Sequence, residues 1–163
     1  MGKSPNCDRR GPKRCGGFSL LELVVVLVIM AILAAIVTPR YGQAIARYRV
    51  AAVAKKVAAD LTFARKRARI SSSSQAVNFN VAENAYQLPG VTDSKTAASD
   101  YSVTLSSSRY KARIVSADFD GDADVTFDGY GVPDSGGTVV VAVGDYSKTI
   151  LLDADSGKAE VQE

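Results

Sequence analysis

Residues 18–37, FSLLELVVVLVIMAILAAIV, form one apolar block broken only by Ser19 and Glu22. As a helix, twenty residues reach roughly 30 Å, the thickness of a bilayer's hydrocarbon core. A segment this long and apolar leaves few choices. It predicts a helix that ends in lipid or against other helices. The leader before it carries Lys3, Arg9, Arg10, Lys13 and Arg14 against Asp8. That bias predicts a cytoplasmic N-terminus under the positive-inside rule. Pro39 follows the block and cannot donate to the carbonyl of Ala35, so a bend or local weakness is expected there.

The same leader distorts the charge tally. The whole chain stands at +3, but the first 17 residues contribute +4, and the rest carries 15 basic and 16 acidic side chains. The pI near 8.9 therefore says nothing about nucleic acid binding by the body. Both cysteines, Cys7 and Cys15, also lie in the leader. A chain beginning at Phe18 would have no disulfide, thiol nucleophile or thiolate metal site. Histidine is absent, which removes the commonest general base and transition-metal ligand. No nucleophile elbow, phosphate loop or dinucleotide fingerprint is present. The chain reads as a protein without catalysis and without a cofactor.

Beyond the apolar block, alanine, arginine and lysine dominate residues 41–70, and all are good helix formers. Val53, Val57, Leu61, Ala64 and Ala68 recur at steps of three or four and draw one apolar stripe. The serine run 71–74 ends that helix. Strands are predicted over 76–81, 85–88, 101–105, 112–116, 124–127, 138–143, 148–152 and 158–161. Pro89-Gly90, Asp128-Gly129, Gly136-Gly137 and Ser156-Gly157 mark turns between them. Residues 91–100 are polar and predict a mobile loop. The expected architecture is α+β: a leader over 1–17, an apolar helix over 18–38, an amphipathic helix over 39–70, and a β-rich domain over 71–163. One antiparallel sheet is expected to bury its face on the helix stripe.

Three features coincide at the N-terminus: a basic leader ending Gly16-Gly17, then Phe18, then a carboxylate at Glu22 inside the apolar block. An ordinary secretory signal, with Ala44-Ile45-Ala46 as its cleavage site, leaves Glu22 and the length of the block unexplained. A plain membrane anchor explains the length but not a carboxylate that costs about 2.5–3.5 kcal/mol at mid-membrane. The stretch Gly17-Phe18-Ser19-Leu20-Leu21-Glu22-Leu23 resembles the class III signal of type IV pilins and pseudopilins. The resemblance implies a pilin fold, cleavage between Gly17 and Phe18 by a prepilin peptidase, and methylation of the new Phe18 amine. Glu22 then takes the family's near-invariant acidic position, and Pro39 the position of a proline that lets the helix loosen in the filament. Physically, a buried Glu22 carboxylate could pair with the Phe18 amine of a neighbouring subunit, so that both charges are satisfied only in register.

The stretch from Asp124 to Gly131, the apolar residues 139–143 and 150–152, and the closing Ser156-Gly157-Lys158 resemble the minor pseudopilins of the GspH/FimT type. That resemblance implies a minor pseudopilin of a type II secretion system, or else a minor pilin of a surface pilus. Partners would be the prepilin peptidase, other pilin-like subunits and an inner-membrane assembly platform, with the body in the periplasm of a single-pass inner-membrane protein. Clustered Arg65, Lys66, Arg67 and Arg69 could face solvent or lipid headgroups, and two acids against one base at the C-terminal end argue against DNA as a partner. Asp118, Asp120, Asp122 and Asp124 have the spacing of the start of a calcium loop, but the glycine comes early and no closing glutamate follows. A solvated acidic turn is the simpler reading. A secreted calcium-binding domain with a conventional signal remains as an alternative from another class, and retention of the apolar segment would exclude it.

Overall fold

A computed structural model describes residues 18–93 and 98–162, without the side chains of residues 36–40. Gly17, both cysteines and the rest of the leader lie outside the described residues. The chain divides into two compact units, Met1–Arg40 and Tyr41–Glu163. Helix α1, Leu20–Ser71, belongs to both, and its backbone stays helical through Pro39.

In the first unit every large apolar side chain from Phe18 to Leu33 is exposed, from 46% at Val24 to 86% at Phe18. Among the described residues no helix is long and apolar enough to cross a membrane. The span expected over 18–38 has its side chains described only as far as residue 35.

In the second unit the predicted stripe is the core face of the helix. Val53, Val57, Leu61, Ala64 and Ala68 are all buried, joined by Val50, Ala54 and Ala58. The helix closes as the serine run predicts. Ser72 takes the left-handed conformation at φ 49°, and the Ser73 amide bonds back to the Ala68 carbonyl at 3.2 Å. This is a Schellman-type end with serine where glycine is usual.

Eight strands follow: β1 Gln75–Asn80, β2 Ala85–Leu88, β3 Tyr101–Thr104, β4 Arg113–Asp118, β5 Asp124–Phe127, β6 Gly137–Val143, β7 Tyr146–Leu152 and β8 Ala159–Gln162. Each falls on a predicted strand, shifted by two residues at most. They form two antiparallel sheets rather than one, ordered β3-β2-β1-β5 and β4-β6-β7-β8. Alternation along β1 and β5 sends Val77, Phe79, Val125 and Phe127 inward. These residues, the helix stripe and Val139, Val141, Ile150 and Leu152 of the second sheet share one buried cluster. Where the sheets meet, Asn84, at φ 52°, accepts the Ile114 amide on its side-chain oxygen at 2.8 Å. Gly137 permits the closest approach, since a Cβ there would stand 2.2 Å from the Asp118 carbonyl oxygen. Residues 94–97 of the predicted loop lie outside the described residues, and Val91 at its start is buried.

Candidate assembly site at the start of the long helix

The first turn of α1 is built from a sequence pattern with a local physical purpose. A helix leaves its first four amides without intrahelical partners. Ser19 precedes the first helical residue, and its hydroxyl accepts the Glu22 amide at 3.1 Å. Its carbonyl accepts the Leu23 amide at 3.2 Å and so begins the helical ladder. Ser19-Leu20-Leu21-Glu22 therefore has the spacing of a capping box, serine followed by glutamate three residues on. The signal stands in the sequence, where the same Glu22 serves both the cap and the pilin-like motif. Glu22 also sits in the first turn, where a carboxylate is favoured by the partial positive charge of the helix end.

The Glu22 side chain is exposed, as is Phe18, so both face whatever surrounds this unit. Gly17 lies outside the described residues, as do the side chains of residues 36–40, Pro39 among them. Phe18 and Glu22 are thus the predicted site residues whose side chains are described, both exposed, Phe18 just before α1 and Glu22 in its first turn.

The aspartate run folds as a turn. Asp120 and Gly121 adopt positive φ, 58° and 96°, the pattern of a two-residue type I′ hairpin turn. Phe119 and Asp122 bridge across it, with the Phe119 amide 2.8 Å from the Asp122 carbonyl oxygen. Asp118 accepts the Gly121 amide at 2.9 Å. All four aspartates are exposed, and among the described residues no group of three or more acidic, histidine or cysteine side chains is placed to hold a metal ion.

The charged constellation that the sequence did not disclose lies between helix and sheet. Asp60 is 8% exposed on the core side of α1. Lys56 donates to both its carboxylate oxygens, at 2.6 and 2.7 Å, and the Tyr86 hydroxyl donates at 2.6 Å. The Lys56 ammonium also donates to the Tyr101 hydroxyl at 2.5 Å. Burial acts to lower the Lys56 pKa, but the hydrogen bonds and charge of Asp60 and Tyr101 outweigh it and hold the ammonium above the ordinary lysine value. Burial first, then the Asp60 charge, push the Tyr86 hydroxyl far above the usual tyrosine range. With every partner satisfied, this network orients β2 and β3 on the helix rather than offering a reactive group. Only the Lys56-to-Asp60 step of four was readable beforehand; the tyrosines are 26 and 41 residues from Asp60 in sequence.

Residues 12–38 match the family model described as the prokaryotic N-terminal methylation motif. No curated protein sequence matches the chain. Two crystal structures of the Pseudomonas aeruginosa (strain PAO1) type IV minor pilin FimU, in space groups P21 and P65, are similar in fold. The first has a TM-score of 0.52 at 12% identity, covering 72% of this chain and 90% of FimU. The second has a TM-score of 0.50 at 12% identity, covering 70% and 93%. At that identity the likeness concerns the fold: a long N-terminal helix packed on an antiparallel β domain.

Proposed function

We propose that this chain, with its methylation motif and its pilin-like fold, is a minor subunit of a membrane-rooted filament. The observation that carries this reading is the junction of the methylation motif with a helix half whose large apolar side chains, from Phe18 to Leu33, are all exposed. A prepilin peptidase would cut between Gly17 and Phe18 and methylate the Phe18 amine. Before assembly the apolar half of α1 would sit in the inner membrane as a single pass, with the β domain in the periplasm. An assembly platform would then lift it among the helices of other pilin-like subunits. Glu22 would pair in trans with a neighbour's Phe18 amine, since two charges in apolar surroundings are tolerated only together. Pro39 would supply the site where the helix loosens inside the filament.

The likeness in fold to a type IV minor pilin supports a type IV pilus as the machine served. The GspH/FimT-like run from Asp124 to Gly131 favours a second reading, a minor pseudopilin of a type II secretion system. The deciding experiment deletes the gene and scores surface pili, DNA uptake and secreted proteins in one culture. Loss of pili or uptake with normal secretion supports the pilus. Cargo retained in the periplasm with normal pili moves the subunit to the secretion machine. Replacing Gly17 with alanine is expected to leave the leader uncut, whereas Glu22→Ala should be cut normally and assemble poorly. An uncut Glu22→Ala chain, or one that assembles like the parent, contradicts this division of roles.

A further inference from the structure

We infer that a basic rim at the start of the second unit, formed by Arg47, Arg49, Arg109, Lys111 and Arg113, lies on the anionic lipid headgroups of the membrane that roots the apolar half of α1. The inference rests on the membrane-rooted reading and goes beyond it by naming the face of the β domain that meets the lipid.

The rim is scattered in sequence and gathered by the fold. The Arg47 guanidinium stands 4.8 Å over the ring of Tyr146, the first residue of β7. Tyr146 pairs with Val143 across the β6–β7 hairpin, and the next pair is Ser147 with Ala142. On its other side Ala142 pairs with Arg113 of β4. Arg113 is therefore two strand spacings, roughly 10 Å, from Ser147. Just before β4, the Ala112 amide donates to the Leu105 carbonyl and the Lys111 amide to the Ser107 carbonyl, both at 2.9 Å. These bonds fix the turn that carries Arg109 and Lys111, both exposed.

Charge and chain connectivity together identify what meets this rim. Arg47, Arg109, Lys111 and Arg113 are exposed and Arg49 is half-buried. None of the five pairs with a carboxylate among the described residues, where the ion pairs are Lys56 with Asp60 and Lys158 with Glu160. The acids at this end are Asp145 in the hairpin and Glu83 beside Asn84, whose side chain holds the Ile114 amide. Five bases against two acids leave an excess of three positive charges. Only Thr38, Pro39 and Arg40 separate Tyr41 from the apolar block, a link of at most roughly 14 Å when fully extended. Arg47 follows Tyr41 by six residues, roughly 9 Å of helix. The link thus keeps the rim at the lipid border whatever its own conformation. Tyr41 and Tyr48, 67% and 80% exposed, lie on the same stretch, and tyrosine is a side chain that favours the boundary between lipid and water. The other basic run begins at Arg65, 18 residues past Arg47 and roughly 27 Å farther along α1. That exceeds the roughly 10 Å over which a charged surface acts at moderate salt.

The test uses the full chain after leader cleavage, reconstituted in phosphatidylcholine vesicles with or without about 30% phosphatidylglycerol. Without its leader the chain has no cysteine, so Ser108→Cys or Asp155→Cys gives a single site for a fluorophore, quenched by a spin label on the lipid headgroups. The label at 108 should be quenched several-fold more in the anionic vesicles, and high salt should remove the difference. The label at 155, in the turn whose Gly157 lies against Arg65, should not respond to lipid charge. Each basic residue near such a surface is worth roughly fivefold in surface affinity. Replacing Arg109, Lys111 and Arg113 together by glutamine should therefore abolish most of the difference at an unchanged melting temperature. Lys66→Gln with Arg69→Gln should preserve it. Equal quenching with and without anionic lipid overturns the contact, as does a triple variant quenched like the parent or a control pair that loses as much. If the chain still floats with the vesicles at high salt in any of these cases, the rim alone is wrong. A chain that does not float removes the membrane-rooted reading and this contact together.

Discussion

The two halves of α1 belong to one helix and obey opposite rules. From Phe18 to Leu33 all the large apolar residues are exposed, whereas from Val50 to Ala68 one stripe is at most 9% exposed. A buried valine or leucine contributes about 1.5–3 kcal/mol, so the second half is stabilised by its own chain. The first half has the same kind of side chains and no such return within the chain. The contrast teaches that the second half is finished by folding, whereas the first would be finished only by the lipid or neighbouring helices of the proposed filament. It also separates two carboxylates: Asp60 is satisfied inside the fold, and Glu22 points out of it.

That contrast can be broken by mutation, and the largest effect is expected at Asp60. Asp60→Ala strands the Lys56 ammonium and the buried Tyr86 hydroxyl together and should cost about 3–5 kcal/mol, read by chemical denaturation. Glu22→Ala should leave the same denaturation curve unmoved. Next comes Leu61→Ala, with an expected loss of about 2–5 kcal/mol, against Leu27→Ala, with no loss of domain stability but weaker assembly. Equal losses from the two leucine variants would erase the distinction between the halves.

A smaller effect is expected from pH. The Lys56 and Tyr86 values are both raised in the fold, from ordinary values of 10.5 and 10.0. The unfolded chain releases these protons first, so stability is full below about pH 10 and falls as pH rises above it. Tyr86→Phe should reduce that alkaline loss, as followed by melting temperature between pH 8 and 11; an unchanged slope would remove Tyr86 from the account. The smallest change is expected at Ser72. Glycine suits its φ of 49°, and Ser72→Gly should stabilise the domain by about 0.5–1 kcal/mol.

Much of this molecule was legible in the sequence because its signals are local. The stripe from Val53 to Ala68 follows from a period near 3.6, and the eight strands follow from alternation bounded by Gly, Pro, Asp and Ser. The Ser19-to-Glu22 capping box is equally local, and its spacing coincides with that of the methylation motif. The acidic run was readable only as charge, because its glycine could serve a metal loop or a hairpin turn until the φ angles of Asp120 and Gly121 were seen.

The sequence by itself determined the apolar helix, the methylation motif that runs into it and the kinds of element that follow, since each depends on residues within a few turns of one another. Only the tertiary structure decided that the strands divide into two sheets, that Asp60 meets Tyr86 and Tyr101, and that Gly131 lies against Arg69. Those outcomes depend on which distant surfaces close-pack, and neither spacing nor composition records that choice.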